Sequence, residues 1–374
     1  MRIVRVANFV APRSGGLRTA LRELGAGYRA HGHEPVLVVP GARFARWSDA
    51  QGEVITLPGP VVPGSGGYRV LVDRPRLTRL LDALEPDRIE VSDRTTLRWT
   101  GVWARRARVP SVMVSHEAAG GVLGSWGVPP GPARHVADRL NRRTSLVYSR
   151  IVCTTEWSER EFVRCGARNV VRAPLGVDPE VFHPRSRDSR AVLRGAGVRL
   201  VLCSRLSVEK RPGIALEALA ALLARGTRAE LFVVGEGPLR RRLAERAAGL
   251  PVTFLGHVAD REHLARILAT ADVGLAPGPA ETFGLAALET LACGTPVVVS
   301  ASSASPEVVG DAGAVAPDTG EGFAEAVLSL LDRPAPARRG AARARAELFG
   351  WQASVEAFLA AHDLPVPRES RTAA

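Results

Sequence analysis

The feature that most limits what this chain can fold into is an alternation of short apolar runs with amphipathic helical stretches, which runs its course twice. Residues 4–9 and 35–39 read as strands around a helix near 17–30, and further strands fall at 88–91, 112–115, 151–154 and 170–173. Helices fit between them at 77–84, 97–106 and 134–148. Strands separated by helices pair in parallel and are covered on both faces, so they read as continuous apolar runs. The segment Pro184-Arg185-Ser186-Arg187-Asp188-Ser189-Arg190 is polar and charged, as a linker is. The pattern then restarts with strands at 200–203, 231–234, 252–255, 273–276 and 296–299 and helices at 213–224, 239–248, 262–269 and 285–292. A last amphipathic helix is expected over 351–362, with a disordered tail from Pro365. The fold class is therefore α/β: two Rossmann-like, doubly wound domains over 1–184 and 191–350, with a C-terminal helix and tail over 351–374.

Two such sheets leave a cleft between their strand C-terminal edges, and ligands of open α/β sheets bind outside those edges. The chemistry-bearing residues cluster there. Ser14-Gly15-Gly16 follows the first strand and opens the first helix. A glycine pair there lets phosphate approach backbone N–H groups, although a loop that only needs glycine dihedrals would read the same. The full G-x-G-x-x-G fingerprint is absent, which argues against hydride transfer. Arg205 and Lys210 follow the first strand of the second half and suit a diphosphate leaving group. Lys210 is the only lysine among 50 Lys and Arg residues. In an arginine-rich chain, one retained lysine points to a site that needs a compact ammonium.

Gly235, in Val234-Gly235-Glu236-Gly237-Pro238, makes a tight turn at another strand end. The segment Glu281-Thr282-Phe283-Gly284-Leu285-Ala286-Ala287-Leu288-Glu289 is the strongest local signal. Glu289 sits among Leu288, Leu291 and Ala292, where a carboxylate needs a partner, and a ribose diol can supply two hydroxyl donors. His116 follows the strand at 112–115, where imidazole can bond a sugar hydroxyl; a structural histidine fits the position as well.

Composition narrows the classes. The 374 residues carry a net charge of +12, 46% of them are hydrophobic, and no run of eighteen is wholly apolar. No membrane-spanning helix is expected, and Met1-Arg2-Ile3-Val4-Arg5-Val6 reads as a strand rather than a signal peptide. Cys153, Cys165, Cys203 and Cys293 are scattered and read as buried free thiols in a reducing, cytoplasmic compartment. The basic balance fits an anionic partner or a bias toward arginine; zinc-finger spacing and basic-aromatic interleaving are lacking, so no nucleic-acid partner is expected. The helix at 134–150 carries Arg134, Arg139, Arg142, Arg143 and Arg150 beside Val136, Leu140, Leu146 and Val147. It could lie on anionic lipid, or be a solvated face in an arginine-rich chain.

Taken together these residues resemble the retaining glycosyltransferases of family 4, which have the GT-B fold. The likeness covers nearly the whole chain. It rests on Gly15-Gly16, His116, Pro174-Leu175-Gly176-Val177-Asp178 with Phe182-His183-Pro184, Arg205 with Glu209-Lys210, Gly235-Glu236-Gly237-Pro238, Glu281 with Glu289, and Ala292-Cys293-Gly294-Thr295-Pro296-Val297-Val298. One departure is Arg211, where many members have glycine.

The resemblance implies a C-terminal helix that crosses back to the first domain. It implies that Gly16, Arg205 and Lys210 hold a donor diphosphate. Glu281, with Thr282, Phe283, Gly284 and Leu285, would hold the donor sugar, and Glu289 the ribose. His116 would lie near the sugar's C6 hydroxyl, and Val258, in Gly256-His257-Val258-Ala259-Asp260, would lie against the nucleobase. His116, Arg205, Lys210 and Glu281 are the expected catalytic set; Gly15, Gly16, Gly235, Val258, Thr282, Phe283, Gly284, Leu285 and Glu289 bind donor.

No cofactor or metal is expected, and the resemblance implies front-face substitution with retention. Within the family, the stretches 256–260 and 273–289 resemble actinobacterial GDP-mannose-dependent mannosyltransferases. GDP-mannose is then the expected donor, with a lipid, glycan or small-molecule acceptor and peripheral contact with the inner face of the plasma membrane. A UDP-sugar donor with a natural-product acceptor, and a GT-B sugar-nucleotide epimerase, are the alternatives.

Overall fold

The computed structural model describes residues 1–10, 15–63, 65, 67–125, 127–187 and 197–365. Ser14, the linker's Asp188, Ser189 and Arg190, and the tail beyond Pro365 lie outside them. The first sheet has eight strands: β1 (Arg2–Val6), β2 (Glu34–Gly41), β3 (Ala45–Asp49), β4 (Gly52–Pro58), β5 (Arg88–Val91), β6 (Ser111–Ser115), β7 (Arg150–Cys153) and β8 (Val170–Arg172). Their spatial order is β3-β4-β2-β1-β5-β6-β7-β8. The second sheet holds β9 (Val198–Cys203), β10 (Ala229–Val234), β11 (Val252–Gly256), β12 (Val273–Ala276), β13 (Val297–Ser300) and β14 (Ala314–Ala316), in the order β11-β10-β9-β12-β13-β14. In each sheet the first strand lies between strands wound in opposite directions, β1 between β2 and β5 and β9 between β10 and β12. Loops leaving such strands diverge and open a crevice.

The expectation of purely parallel sheets is corrected at one edge, because β3 runs antiparallel to β4. Asp49 closes the turn between them by accepting the Gln51 N–H at 2.9 Å, and Gly52 takes φ 105°. The first strand is also shorter than residues 4–9, since Phe9 turns into the left-handed region at φ 59°. At the linker, Pro184–Ser186 forms a short 3₁₀ turn packed on helix Arg261–Thr270.

The apolar strands bury themselves as the pattern requires: Val4, Ile89, Met113 and Ile151 in one sheet and Leu200, Leu231, Val273 and Val298 in the other are almost fully covered. The C-terminal helix Trp351–Ala361 crosses back and packs on helix Gly16–Ala30 of the first sheet. Its end is anchored in a buried polar cluster. His362 Nε2 lies 3.3 Å from Glu90, which also accepts from Arg5 Nε at 2.9 Å and Tyr28 Oη at 2.7 Å. Burial alone would raise the Glu90 pKa, but Arg5, His362 and Tyr28 outweigh it and hold the carboxyl well below the usual range.

Helix Pro130–Ser145 exposes Val136 with Arg134, Arg139, Arg142 and Arg143. Arg150 does not belong to that basic face: it lies on β7 and pairs with Asp363 at 2.6 Å. All four cysteines are free thiols, with Cys153 and Cys293 buried and Cys165 and Cys203 half-buried. Among the described residues, no helix is long and apolar enough to cross a membrane.

Candidate active site

The loops after β9 and β12 meet at an ion pair. Past β9 the chain makes a 3₁₀ turn over Val208–Lys210 and leaves it through Arg211 at φ 44°. This turn carries Lys210 to Glu281, Nζ to Oε1 2.6 Å. Gly278 lies beneath: a methyl there would sit 3.4 Å from the Lys210 Cα and Cδ. Burial works against the lysine's charge, but Glu281, Glu117 and Glu209 together hold it above the ordinary lysine range. The three carboxylates thus favour the charged lysine.

Arg205 takes a different partner. Its guanidinium lies over the Tyr68 ring at 3.9 Å and donates to the Ser65 carbonyl, both on the first half of the chain. The two expected diphosphate cations therefore share a loop but do not converge on one group. Burial raises the Tyr68 phenol pKa, with Arg205 pulling it back.

His116 stands at the end of β6, half-buried, with Nε2 3.1 Å from Ser92 Oγ. Burial pushes its pKa down to about 4, with Arg5 and Arg94 acting the same way and Glu90 against them. The ring is neutral at physiological pH and can offer either a donor or an acceptor to a hydroxyl.

Helix Leu285–Ala292 begins where Gly284 turns left-handed at φ 89° and supplies no side-chain cap, leaving its first N–H groups toward the cleft. It ends at Gly294, φ 72°, whose N–H reaches the Leu291 carbonyl at 2.8 Å. Glu289, on this helix, makes no hydrogen bond or ion pair with a described residue. Burial raises its pKa to about 7, while Arg261 and Arg22 pull it back and Glu23 adds to it. A small cavity opens between the Lys210–Glu281 pair and the start of helix Leu285–Ala292, lined by Cys203, Ser204, Lys210, Glu281, Gly284 and Ser305 among others. A larger groove of about 290 Å³, between helices Gly213–Ala224 and Arg240–Arg246, is lined by Arg211 but by none of the residues expected to catalyse or to bind donor.

The remaining expected residues divide. Gly15 caps helix Gly16–Ala30 at φ 124°, and a methyl on Gly16 would lie 3.3 Å from Leu285, so Gly16 faces the second half directly. Gly235 has a packing reason of its own: at φ 132°, its Cβ would fall 2.0 Å from the Ser204 carbonyl. Thr282 and Phe283 are buried with side chains turned away from the cavity. Thr282 Oγ1 donates to the His116 carbonyl at 2.7 Å, and Phe283 stacks edge-on with Phe349 at 5.8 Å. Val258 packs half-buried against the core.

Three residues that the sequence did not single out belong to the site. Tyr68 lies in a Gly/Pro-rich stretch with no strand or helix signal. Glu117 is opposite Glu281. The Ser305 hydroxyl is fully buried beside Gly284 and has no hydrogen-bond partner. Among the described residues, no group of three or more His, Cys, Asp or Glu side chains is placed to hold a metal ion.

A cleft between two Rossmann-like sheets, floored by a cation and a helix N-terminus, is the architecture of the GT-B glycosyltransferases, and the comparisons agree. The chain belongs to the glycosyltransferase family: residues 197–333 match the model described as "Glycosyl transferases group 1" and residues 15–178 the "Glycosyl transferase 4-like domain". It is 50% identical over 365 residues to a "GDP-mannose-dependent alpha-(1-6)-phosphatidylinositol dimannoside mannosyltransferase" of Mycobacterium tuberculosis (strain H37Ra), covering 96% of this chain and 95% of the relative. Similar solved folds include a sucrose-phosphate synthase from Thermosynechococcus elongatus (TM-score 0.75, 21% identity, 95% and 96% of the chains). The Anabaena protein HepE in complex with UDP-glucose is another (TM-score 0.72, 17% identity, 96% and 99%).

Proposed function

We propose that this chain transfers mannose from GDP-mannose, with retention and without a metal, to a hydroxyl of a phosphatidylinositol-type glycolipid at the cytoplasmic face of a membrane. One observation carries the donor and acceptor: the 50% identity, over nearly the whole of both chains, to the mannosyltransferase of that name. The site supports the chemistry. Lys210, its charged form favoured by Glu281, Glu117 and Glu209, would offset charge developing on the leaving diphosphate, with the helix N-terminus at Gly284 adding its N–H groups. Arg205 would join it on leaving Tyr68. Glu289 would meet the ribose hydroxyls, Val258 the base and neutral His116 a sugar hydroxyl. Phe283 and Thr282 would act through their backbone, since their side chains point away. The leaving phosphate would take the proton of the attacking hydroxyl on the face from which it departs. The exposed basic face of helix Pro130–Ser145 would rest on the anionic lipid that presents the acceptor.

Calorimetric titration with GDP, UDP and ADP, chelator present, tests the donor. Selective GDP binding is expected. Selective UDP binding would move the donor to another sugar nucleotide, and failure of all three would sink the glycosyl-transfer site. Sedimentation with phosphatidylinositol vesicles at low salt tests the lipid contact; protein left in the supernatant would remove it.

A further inference from the structure

Residues 117 and 281 form an isolated antiparallel bridge, one from each half of the molecule. Partners directly opposite in an antiparallel pair project their side chains to the same side, with Cβ atoms about 5 Å apart, and like charges in that position repel. Here both partners are glutamates. Glu281 is satisfied by Lys210 at 2.6 Å. Glu117 is not: its side chain is exposed in the cleft, and no described residue gives it a hydrogen bond or an ion pair. The backbone around it is fixed, with its carbonyl accepting from Arg94 and that of the preceding residue, His116, accepting from Thr282. A carboxylate with no direct partner, on a fixed backbone opposite another carboxylate, is a poor arrangement for stability alone. It suits a ligand rich in hydroxyls. Although its surface is open to the cleft, the protein packed around Glu117 removes much of its water and favours the protonated form; Lys210 and Arg94 oppose that, while Glu209 and Glu281 reinforce it.

We infer that Glu117 is a specificity-determining residue for the acceptor, its carboxylate accepting hydrogen bonds from hydroxyls of a sugar or cyclitol ring and setting the attacking hydroxyl beside the Lys210–Glu281 pair. This rests on the glycosyl-transfer reading of the site. The bridge makes the geometry depend on closure: the first half supplies the acceptor's carboxylate, the second the donor's, and they come together only when the halves meet. The two glutamates then divide the two substrates between them.

The test is Glu117→Gln, which keeps the shape and removes the charge, with Glu117→Asp as a second variant. Steady-state transfer from GDP-mannose to octyl α-mannoside and GDP binding by calorimetry are measured for each. The acceptor KM is expected to rise tenfold or more in Glu117→Gln, while the donor KM and GDP affinity stay within twofold of wild type; Glu117→Asp should recover part of the loss. An unchanged acceptor KM would overturn the assignment, as would a parallel loss of GDP affinity, which would place Glu117 on the donor. Failure of the wild-type protein to bind GDP or to glycosylate the mannoside overturns the functional reading itself, and is told apart because it appears without any substitution.

Discussion

The most exacting residue of the site is Glu289, because its environment and its proposed task pull in opposite directions. A carboxyl with a folded pKa near 7, against about 4.3 in an unfolded chain, binds its proton more tightly in the native state. Its contribution to stability is therefore whole below the unfolded value and is lost as pH rises through 7. A bound ribose would reverse that loss by giving the ionised form two donors. Glu289→Gln should gain stability relative to wild type between pH 5 and 8, by roughly 2 kcal/mol, less than the full shift implies because part of the side chain stays open to the cleft. The same variant should bind GDP about tenfold more weakly. Thermal unfolding across that pH range and calorimetry read both effects. A stability difference that does not vary with pH would mean the carboxylate is not desolvated.

At the scale of elements, legibility followed burial only in part: strand Gly52–Pro58 and helix Gly320–Leu331 are largely buried, yet the sequence reading expected neither. Strand Val273–Ala276 and helices Gly213–Ala224 and Leu285–Ala292 have the bounds the sequence implies, since continuous apolar runs or clear caps mark them. β3 was missed because Ala45-Arg46-Trp47-Ser48-Asp49 is an edge strand, mostly exposed and free of the apolar signature. How closely elements approach is written in single glycines. A methyl on Gly27 would fall 2.2 Å from Val355 Cγ2, so helix Gly16–Ala30 admits the C-terminal helix only because that position has no side chain. Gly27→Ala should destabilise by about 1–3 kcal/mol through overpacking. Adding Val355→Ala should restore part of the loss, even though Val355→Ala alone removes buried methyls and destabilises. Urea unfolding of the four proteins measures the coupling. A double variant weaker than Gly27→Ala would place the clash elsewhere.

Across the whole molecule, what the sequence could not show is how the two sheets face each other. Strand-end loops were legible as carriers of chemistry, but Tyr68 under Arg205, Thr282 on His116 and Glu117 opposite Glu281 exist only in the assembled cleft. The same holds for the contact that closes it. Glu307, on helix Ser305–Val309 of the second half, accepts from the Glu156 and Trp157 N–H groups at 2.9 and 3.1 Å, capping helix Glu156–Val163 of the first half. Thr155 caps that helix from within its own half, so Glu307 adds charge and a link between halves rather than the helix itself. Nearby, Thr154 and Thr155 donate to the Thr282 carbonyl, and Arg261 reaches Glu23 at 3.1 Å, so polar contacts line the seam beside an apolar cluster that runs from one half into the other. Removing a cap typically costs about 0.5–2 kcal/mol. Glu307→Ala should therefore shift the balance from closed to open roughly 2- to 30-fold at unchanged helix content. Turnover should fall by a similar factor, because the Glu117–Glu281 bridge joins the two halves, and the radius of gyration in solution scattering should rise. If the variant keeps wild-type dimensions and turnover, closure does not depend on Glu307, and the threonine contacts at Thr282 would have to hold the halves together.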